Sequence, residues 1–123
     1  MSAAGVLSVK DEGHLHSVRT SGSELVEEGA ISGTIPGRAR VSFDIGPTVY
    51  ATFTIYPKSG GSISGHGSGA LHSTGVYSSF GGSLEVTRGA GRYAHAHGRG
   101  GLYGAINRKT YALTVQTIGK LYY

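Results

Sequence analysis

Glycine is concentrated in one stretch of this chain, inside segments that otherwise alternate like β-strands. Between Gly60 and Gly104 lie 14 of the 22 glycines, many of them two or four residues apart. Glycine weakens a strand unless the backbone must bend sharply or approach another backbone closely. Because this choice recurs in successive strands, we expect a sheet that curls upon itself with glycine at its corners. The sequence therefore predicts an all-β fold, a closed antiparallel barrel of about eight strands.

The clearest strands form a hairpin around the turn Gly46-Pro47. Apolar and polar residues alternate over residues 39–45 and again over 49–56, which predicts that Phe53 faces inward and Tyr50 outward. Ser23 to Glu28 is too short for a helix and is predicted as a turn. A flat sandwich is the alternative architecture, but glycine within strands favours strong curvature. Further strands are predicted over residues 6–10, 15–19, 30–35, 63–71, 77–87, 92–106 and 110–121. Together with the hairpin, this gives eight or nine strands.

The composition is that of one folded domain over residues 1–123. Hydrophobic residues make up 38% and charged residues 15%, a balance that argues against disorder. There is no cysteine, which excludes disulfides and thiol catalysis. No stretch approaches the ~18 apolar residues that a membrane helix needs, so we expect no membrane partner. The first residues lack a signal-peptide pattern, which predicts a cytoplasmic protein, although a mature secreted form would begin in the same way.

Charge is divided unevenly along the chain. Residues 1–60 carry a formal charge of −1 and residues 61–123 carry +5, and no acidic residue follows Glu85. Either the barrel has one basic face, or the chain binds an anionic ligand. A single Arg-Gly-Gly within residues 97–101 and eight tyrosines are too weak a pattern to predict nucleic-acid binding. Phosphate-binding loops and a Gly-x-Ser-x-Gly nucleophile turn are absent.

Three consecutive segments carry a resemblance to a known family. Residues 80–88 read FGGSLEVTR, residues 89–93 read GAGRY and residues 94–100 read AHAHGRG. This order resembles the allene oxide cyclase barrel-like group, to which plant dirigent proteins are related, with alanine where a threonine is usual in the turn. EGAISGTI at 28–35 and LTVQTIGKL at 113–121 are similar to bacterial members, so the likeness extends over about residues 28–121.

The resemblance implies a calycin-like barrel that holds a small hydrophobic molecule, and we expect no cofactor. Members of known activity close rings or direct radical coupling, so an enzyme of this kind is expected to be an isomerase or cyclase. The alternative is a non-enzymatic ligand carrier, or a structural barrel with a filled core. The resemblance also implies trimers. The uncharged stripe Tyr50, Thr52, Thr54 and Tyr56 predicts self-association as a dimer or trimer.

Candidate site residues lie on the predicted strand that follows the GAGRY turn. Alternation places Tyr93, His95, His97, Arg99 and Tyr103 on one face, opposite a face of alanine, glycine and leucine. If the small-residue face points inward, the barrel has an apolar core and the histidines face solvent. If the other face points inward, it lines a polar-aromatic pocket. The spacing alone leaves both alternatives open, since one bulge reverses the faces.

For a site on the polar face, each residue type suggests a role. An imidazole can move a proton near pH 7, and a guanidinium can hold a carboxylate or enolate oxygen. Glu85 could orient a histidine or pair with Arg99 across the hairpin. The predicted catalytic residues are His95, His97 and Glu85, and the predicted ligand-binding residues are Arg99, Tyr93, Tyr103, His66 and His72.

The His-x-His pairs at residues 14–16 and 95–97 each place two imidazoles on one strand face. Metal centres built on such pairs usually add a carboxylate soon afterwards. No acidic residue follows His97, and a metal would need His66, His72 or Glu85 from neighbouring strands. The sequence therefore predicts no metal site.

Overall fold

Eight antiparallel strands follow one another around a closed barrel, as the glycine pattern predicts. The computed structural model describes residues 5–22, 24–72 and 75–123. The strands are β1 (Val6–Ser21), β2 (Glu24–Gly33), β3 (Gly37–Ile45), β4 (Thr48–Pro57), β5 (Ser62–Leu71), β6 (Tyr77–Ala90), β7 (His97–Asn107) and β8 (Leu113–Tyr122). A short 3₁₀ turn, Gly91–Tyr93, precedes β7.

Each strand pairs with the next one along the chain, and β1 closes the barrel against β8. Val6 is opposite Tyr122 and Leu15 is opposite Leu113 in this closing pair. Bulges interrupt the register between Ser17 and Arg19 and between Ser64 and Gly65. A closed sheet has no free edge, so the alternative of a flat sandwich is wrong.

Glycine allows the sheet to bend where two backbones crowd together. A Cβ added to Gly65 would overlap the carbonyl oxygen of Glu85 on β6, and a Cβ added to Gly82 would overlap the carbonyl oxygen of Ser68 on β5. The paired strands therefore approach too closely for any side chain at these positions. This is the physical basis of the glycine pattern in the sequence.

The interior contains two apolar clusters, one towards each end of the barrel. The first is centred on Phe43, whose ring meets Phe80 edge-on at 6.2 Å between centroids. The second joins Ile63 to Tyr93 and to Ile35, which lies in the connection between β2 and β3. Phe53 packs against both clusters. The hairpin prediction is confirmed, because Phe53 faces inward while the Tyr50 side chain is 60% exposed.

Two predictions at the start of the chain need correction. Residues 6–10 and 15–19 are strand, as predicted, but they belong to one continuous strand, β1, so the predicted break between them is wrong. The predicted turn at 23–28 is instead the beginning of β2, from Glu24 onward; Ser23 lies outside the described residues. A charged residue at an inward position, Glu27, interrupts the apolar alternation there and conceals the strand.

The predicted strand over residues 92–106 is also wrong at its beginning. Gly91 has a φ of 63°, and the following residues form the 3₁₀ turn, with the amide of Ala96 donating to the carbonyl oxygen of Tyr93 at 2.9 Å. Both Tyr93 and Ala96 are buried in the second cluster. The connection covers one end of the barrel, and the regular strand begins only at His97.

Candidate functional site

The inward face of the barrel is apolar and glycine-rich, which decides between the two alternatives for β7. Leu102 and Ile106 are buried, whereas His97, Arg99 and Tyr103 on the same strand are exposed. The small-residue face therefore points inward, and no pocket of histidine, tyrosine and arginine forms in the interior. The polar face of β7 belongs to the outer wall.

A cavity of about 100 Å³ lies within the barrel. An apolar cavity of about 150 Å³ in another protein stays dry and binds benzene, so this space suits a small apolar group rather than a large ligand. Its wall is almost entirely carbon. Side chains lining it include Val41, Phe53, Ile55, Leu84, Leu102 and Val115.

Glu27 is the most unusual residue of the interior. Its neighbours Leu25 and Ile31 on β2 face inward, and it is paired with the inward-facing Val41 of β3. The side chain is fully buried, and neither carboxylate oxygen has a hydrogen-bond partner within the described part of the chain. Burial disfavours the charged form and raises the pKa of Glu27 to about 7. Such a carboxyl group can give or take a proton at neutral pH.

Sequence reasoning missed Glu27, although a signal was present. Leu25, Glu27, Gly29 and Ile31 occupy alternate positions, so the acid shares a face with two apolar residues and a glycine. An acidic residue on an apolar strand face indicates either a β-bulge, which turns it outward, or a polar group that is buried. Only the pairing of β2 with β3 shows that it is buried.

Asp11 is a second buried acid, which lines the interior cavity and also binds the backbone beside it. Its carboxylate accepts a hydrogen bond of 2.9 Å from the backbone amide of Ile35, and its side chain is 7% exposed. Burial raises the pKa of Asp11, and backbone hydrogen bonds from Ile35 and Thr34 partly oppose this effect. Asp11 thereby holds the β2–β3 connection over the end of the barrel.

The predicted site residues are distributed over the outer wall and one barrel end. Tyr93 is buried at 4% exposure, and its ring packs 5.2 Å from that of Tyr123. His95 is exposed in the connection before β7, and the ring of His97 stacks on Tyr122 at 5.3 Å. His72 is exposed just after β5. These residues do not converge on one point.

Three of the predicted residues do come together, on adjacent strands of the outer wall. His66, Glu85 and Arg99 are direct cross-strand neighbours on β5, β6 and β7. Glu85 Oε2 lies 3.4 Å from Arg99 Nε, which confirms the expected pair, and Glu85 Oε1 lies 3.6 Å from His66 Nε2. The three side chains are 41–84% exposed, so solvent screens these contacts.

This trio borders a groove of about 670 Å³ on the outside of β3 to β7. The volume lies within the usual range for small-molecule sites, about 300–1,000 Å³. Ser68 and Ser83 line it together with the longer side chains of Tyr50, His66 and Arg99. The groove is the larger of the two candidate sites, and its lining carries more hydroxyl and charged groups than that of the interior cavity.

Within residues 5–22, 24–72 and 75–123, no three histidine or acidic side chains are grouped so that they could hold a metal ion. The same residues include no helix long and apolar enough to cross a membrane. No protein family model, curated protein or solved structure matches the chain. The geometry of the interior and of the groove must therefore carry any functional argument.

Proposed function

We propose that the protein binds a small, largely hydrophobic molecule inside the barrel. The observation that carries this proposal is the carbon-lined cavity of about 100 Å³. A closed barrel of eight strands is just wide enough to fill with side chains or to hold one small ligand. Burying an apolar ligand in such a space contributes about 25 cal/mol per Å² of surface removed from water.

The charges of the interior indicate which ligands would be favoured. The two inward-facing polar side chains with raised pKa values, Asp11 and Glu27, are both acids. An anion would be repelled by either group in its ionised form, so the expectation of an anionic ligand is not favoured here. A neutral molecule, or one with a hydrogen-bond donor directed at Asp11 in the cavity wall, fits better.

A small apolar probe, xenon or benzene, tests whether the interior is accessible. We expect xenon or benzene to shift the methyl resonances of Val41 and Ile55 in a saturable way. Ala39, which lines the cavity, offers the blocking variant Ala39→Leu. Its neighbour Arg38 is exposed, and Arg38→Leu is the matched control. Loss of the shifts in the first variant alone supports the proposal, whereas no shift in the native protein indicates a filled structural barrel.

A second candidate function is isomerisation or cyclisation of the bound molecule, and the observation that favours it is Asp11, a buried acid with a raised pKa that lines the cavity. Its carboxylate would remove a proton from one carbon of the ligand, and the resulting acid would return it to another position. Asp11→Asn keeps an oxygen that can accept the amide of Ile35 but cannot exchange a proton in this way. Equal turnover by the variant and the native protein on any substrate found would contradict this role.

Self-association and family membership stay predictions. Tyr50 and Tyr56 of the predicted stripe are 60% and 52% exposed on the outer wall. Both rings are therefore accessible to a second copy of the chain. The observed barrel agrees with the fold that the resemblance to the allene oxide cyclase group implies. Sedimentation equilibrium over a range of concentrations tests the dimer or trimer.

A further inference from the structure

The outer groove differs from the interior cavity in its chemistry, because its lining includes many hydroxyl and charged groups. Ser42, Thr52, His66, Glu85 and Arg99 form one cross-strand row over β3 to β7. At about 4.8 Å between strands, this row extends about 19 Å. It is long enough for an extended ligand that lies across the strands.

The charged groups of the groove are already paired within the chain. Glu85 lies 3.4 Å from Arg99, and Glu24 lies 3.2 Å from Arg19. Asp44, the remaining acid of the groove, also interacts within the chain. Since each of these charged groups already interacts within the chain, a charged ligand would have to compete for it. The groove is therefore electrostatically suited to a neutral ligand.

The uncharged polar groups remain available. Thr52, Ser68 and Ser83 line the groove, and their hydroxyl groups make no side-chain hydrogen bond within the described ranges. The neighbouring carboxylate of Glu85 and guanidinium of Arg99 add acceptors and donors at the same place. A ligand rich in hydroxyl groups can use both, since each hydroxyl donates one hydrogen bond and accepts two.

An aromatic ring at the edge of the groove completes the arrangement. Tyr50 lines the groove and is 60% exposed. The face of an aromatic ring is apolar and electron-rich, and it packs well against the C–H groups of a sugar ring. Tyr56 lies on the same face of β4 with 52% exposure, but it is outside the groove.

From these observations we infer that the outer groove between Tyr50 and Arg99 binds a neutral saccharide. Tyr50 stacks on a sugar ring, and the Glu85–Arg99 pair and the hydroxyl groups of Ser68 and Ser83 form hydrogen bonds with its hydroxyl groups. The site is separate from the interior cavity, so saccharide binding does not depend on a lumen ligand.

The test is a nuclear magnetic resonance titration with neutral tetrasaccharides, namely cellotetraose, xylotetraose, maltotetraose and chitotetraose. We expect at least one to shift the amide resonances of Thr52, Ser68 and Ser83. Tyr50→Ala should weaken binding about tenfold, the equivalent of an aromatic contact of about 1.4 kcal/mol. Glu85→Gln should weaken it by a similar factor, because it removes a charged acceptor.

Matched surface variants control for general effects. Tyr56→Ala and Glu12→Gln replace the same residue types outside the groove and should leave binding unchanged. The inference is overturned if none of the four saccharides binds, or if Tyr56→Ala weakens binding as much as Tyr50→Ala. It is also overturned if both tyrosine variants dissociate an oligomer, because the groove would then face a second copy of the chain.

Discussion

Glu27 should make the stability of the barrel fall as the pH rises from 5 to 8. Its pKa is about 7 in the folded state, against an ordinary value of 4.5. Below pH 4.5 both states carry the proton, so burial of the carboxyl costs no ionisation energy. Between these values the folded state holds the proton and the unfolded state has released it, so raising the pH favours unfolding. Above pH 7 the folded state also carries the ionised carboxylate, and the full free-energy cost of burying this charge is present.

The size of this effect follows from the two pKa values. A tenfold change in proton affinity corresponds to about 1.4 kcal/mol, so the free energy of unfolding should decrease by about 2.5 kcal/mol between pH 5 and pH 8. That is a large part of the ~5–15 kcal/mol that stabilises a typical domain. Asp11, the other buried acid, has a raised pKa and acts in the same direction.

The assay is urea unfolding followed by circular dichroism at several pH values. Comparison of the native protein with Glu27→Gln isolates this residue, since the variant should lose most of the decrease. The matched control is Glu28→Gln on the outer face of the same strand, where Glu28 pairs with Arg40. The reasoning is refuted if Glu27→Gln keeps the full decrease, or if the native barrel becomes more stable from pH 5 to pH 8.

Three further predictions concern stability and are measured by the same unfolding assay. Phe43→Ala should cost about 3–5 kcal/mol, because it empties a buried aromatic site, while Tyr50→Ala should stay within about 0.5 kcal/mol; equal losses would mean that the faces of the hairpin are wrongly assigned. Gly65→Ala should prevent or severely weaken folding, because its Cβ would overlap the backbone of β6, whereas Gly75→Ala meets nothing within 4 Å and should be tolerated. Asp11→Ala should cost about 1–3 kcal/mol by leaving a buried backbone amide of the β2–β3 connection unpaired, and a neutral result would show that this amide finds another partner.

The barrel was predictable because its determinants are local. Glycine at alternate positions of β5 and β7 indicates curvature, and the β3–β4 hairpin shows its inward face directly. The Glu85–Arg99 pair was also within reach, because β6 and β7 are consecutive strands and pair as a hairpin. These inferences need only the period-two alternation of side chains and the pairing of neighbouring strands.

The candidate sites were less predictable, because they depend on exact register and on volume. The turn at Gly91 removes Tyr93 and His95 from the regular strand, so they do not share a face with Arg99 as the spacing suggests. The interior cavity results from how Val41, Phe53 and Leu102 fill space, which no sequence pattern encodes. The groove depends on five strands being aligned, and a shift of one residue in any of them would separate its row.

The pairing of β1 with β8 has a consequence for synthesis of the chain on the ribosome. The two partners are roughly a hundred residues apart in sequence. The β1–β8 pairing is therefore the strand pairing with the greatest sequence separation in the barrel. Until β8 emerges, β1 presents an unpaired edge of backbone amides and carbonyl groups to other nascent chains. Translation speed and chaperone capture before the last strand appears should therefore govern how much of the protein reaches its closed form.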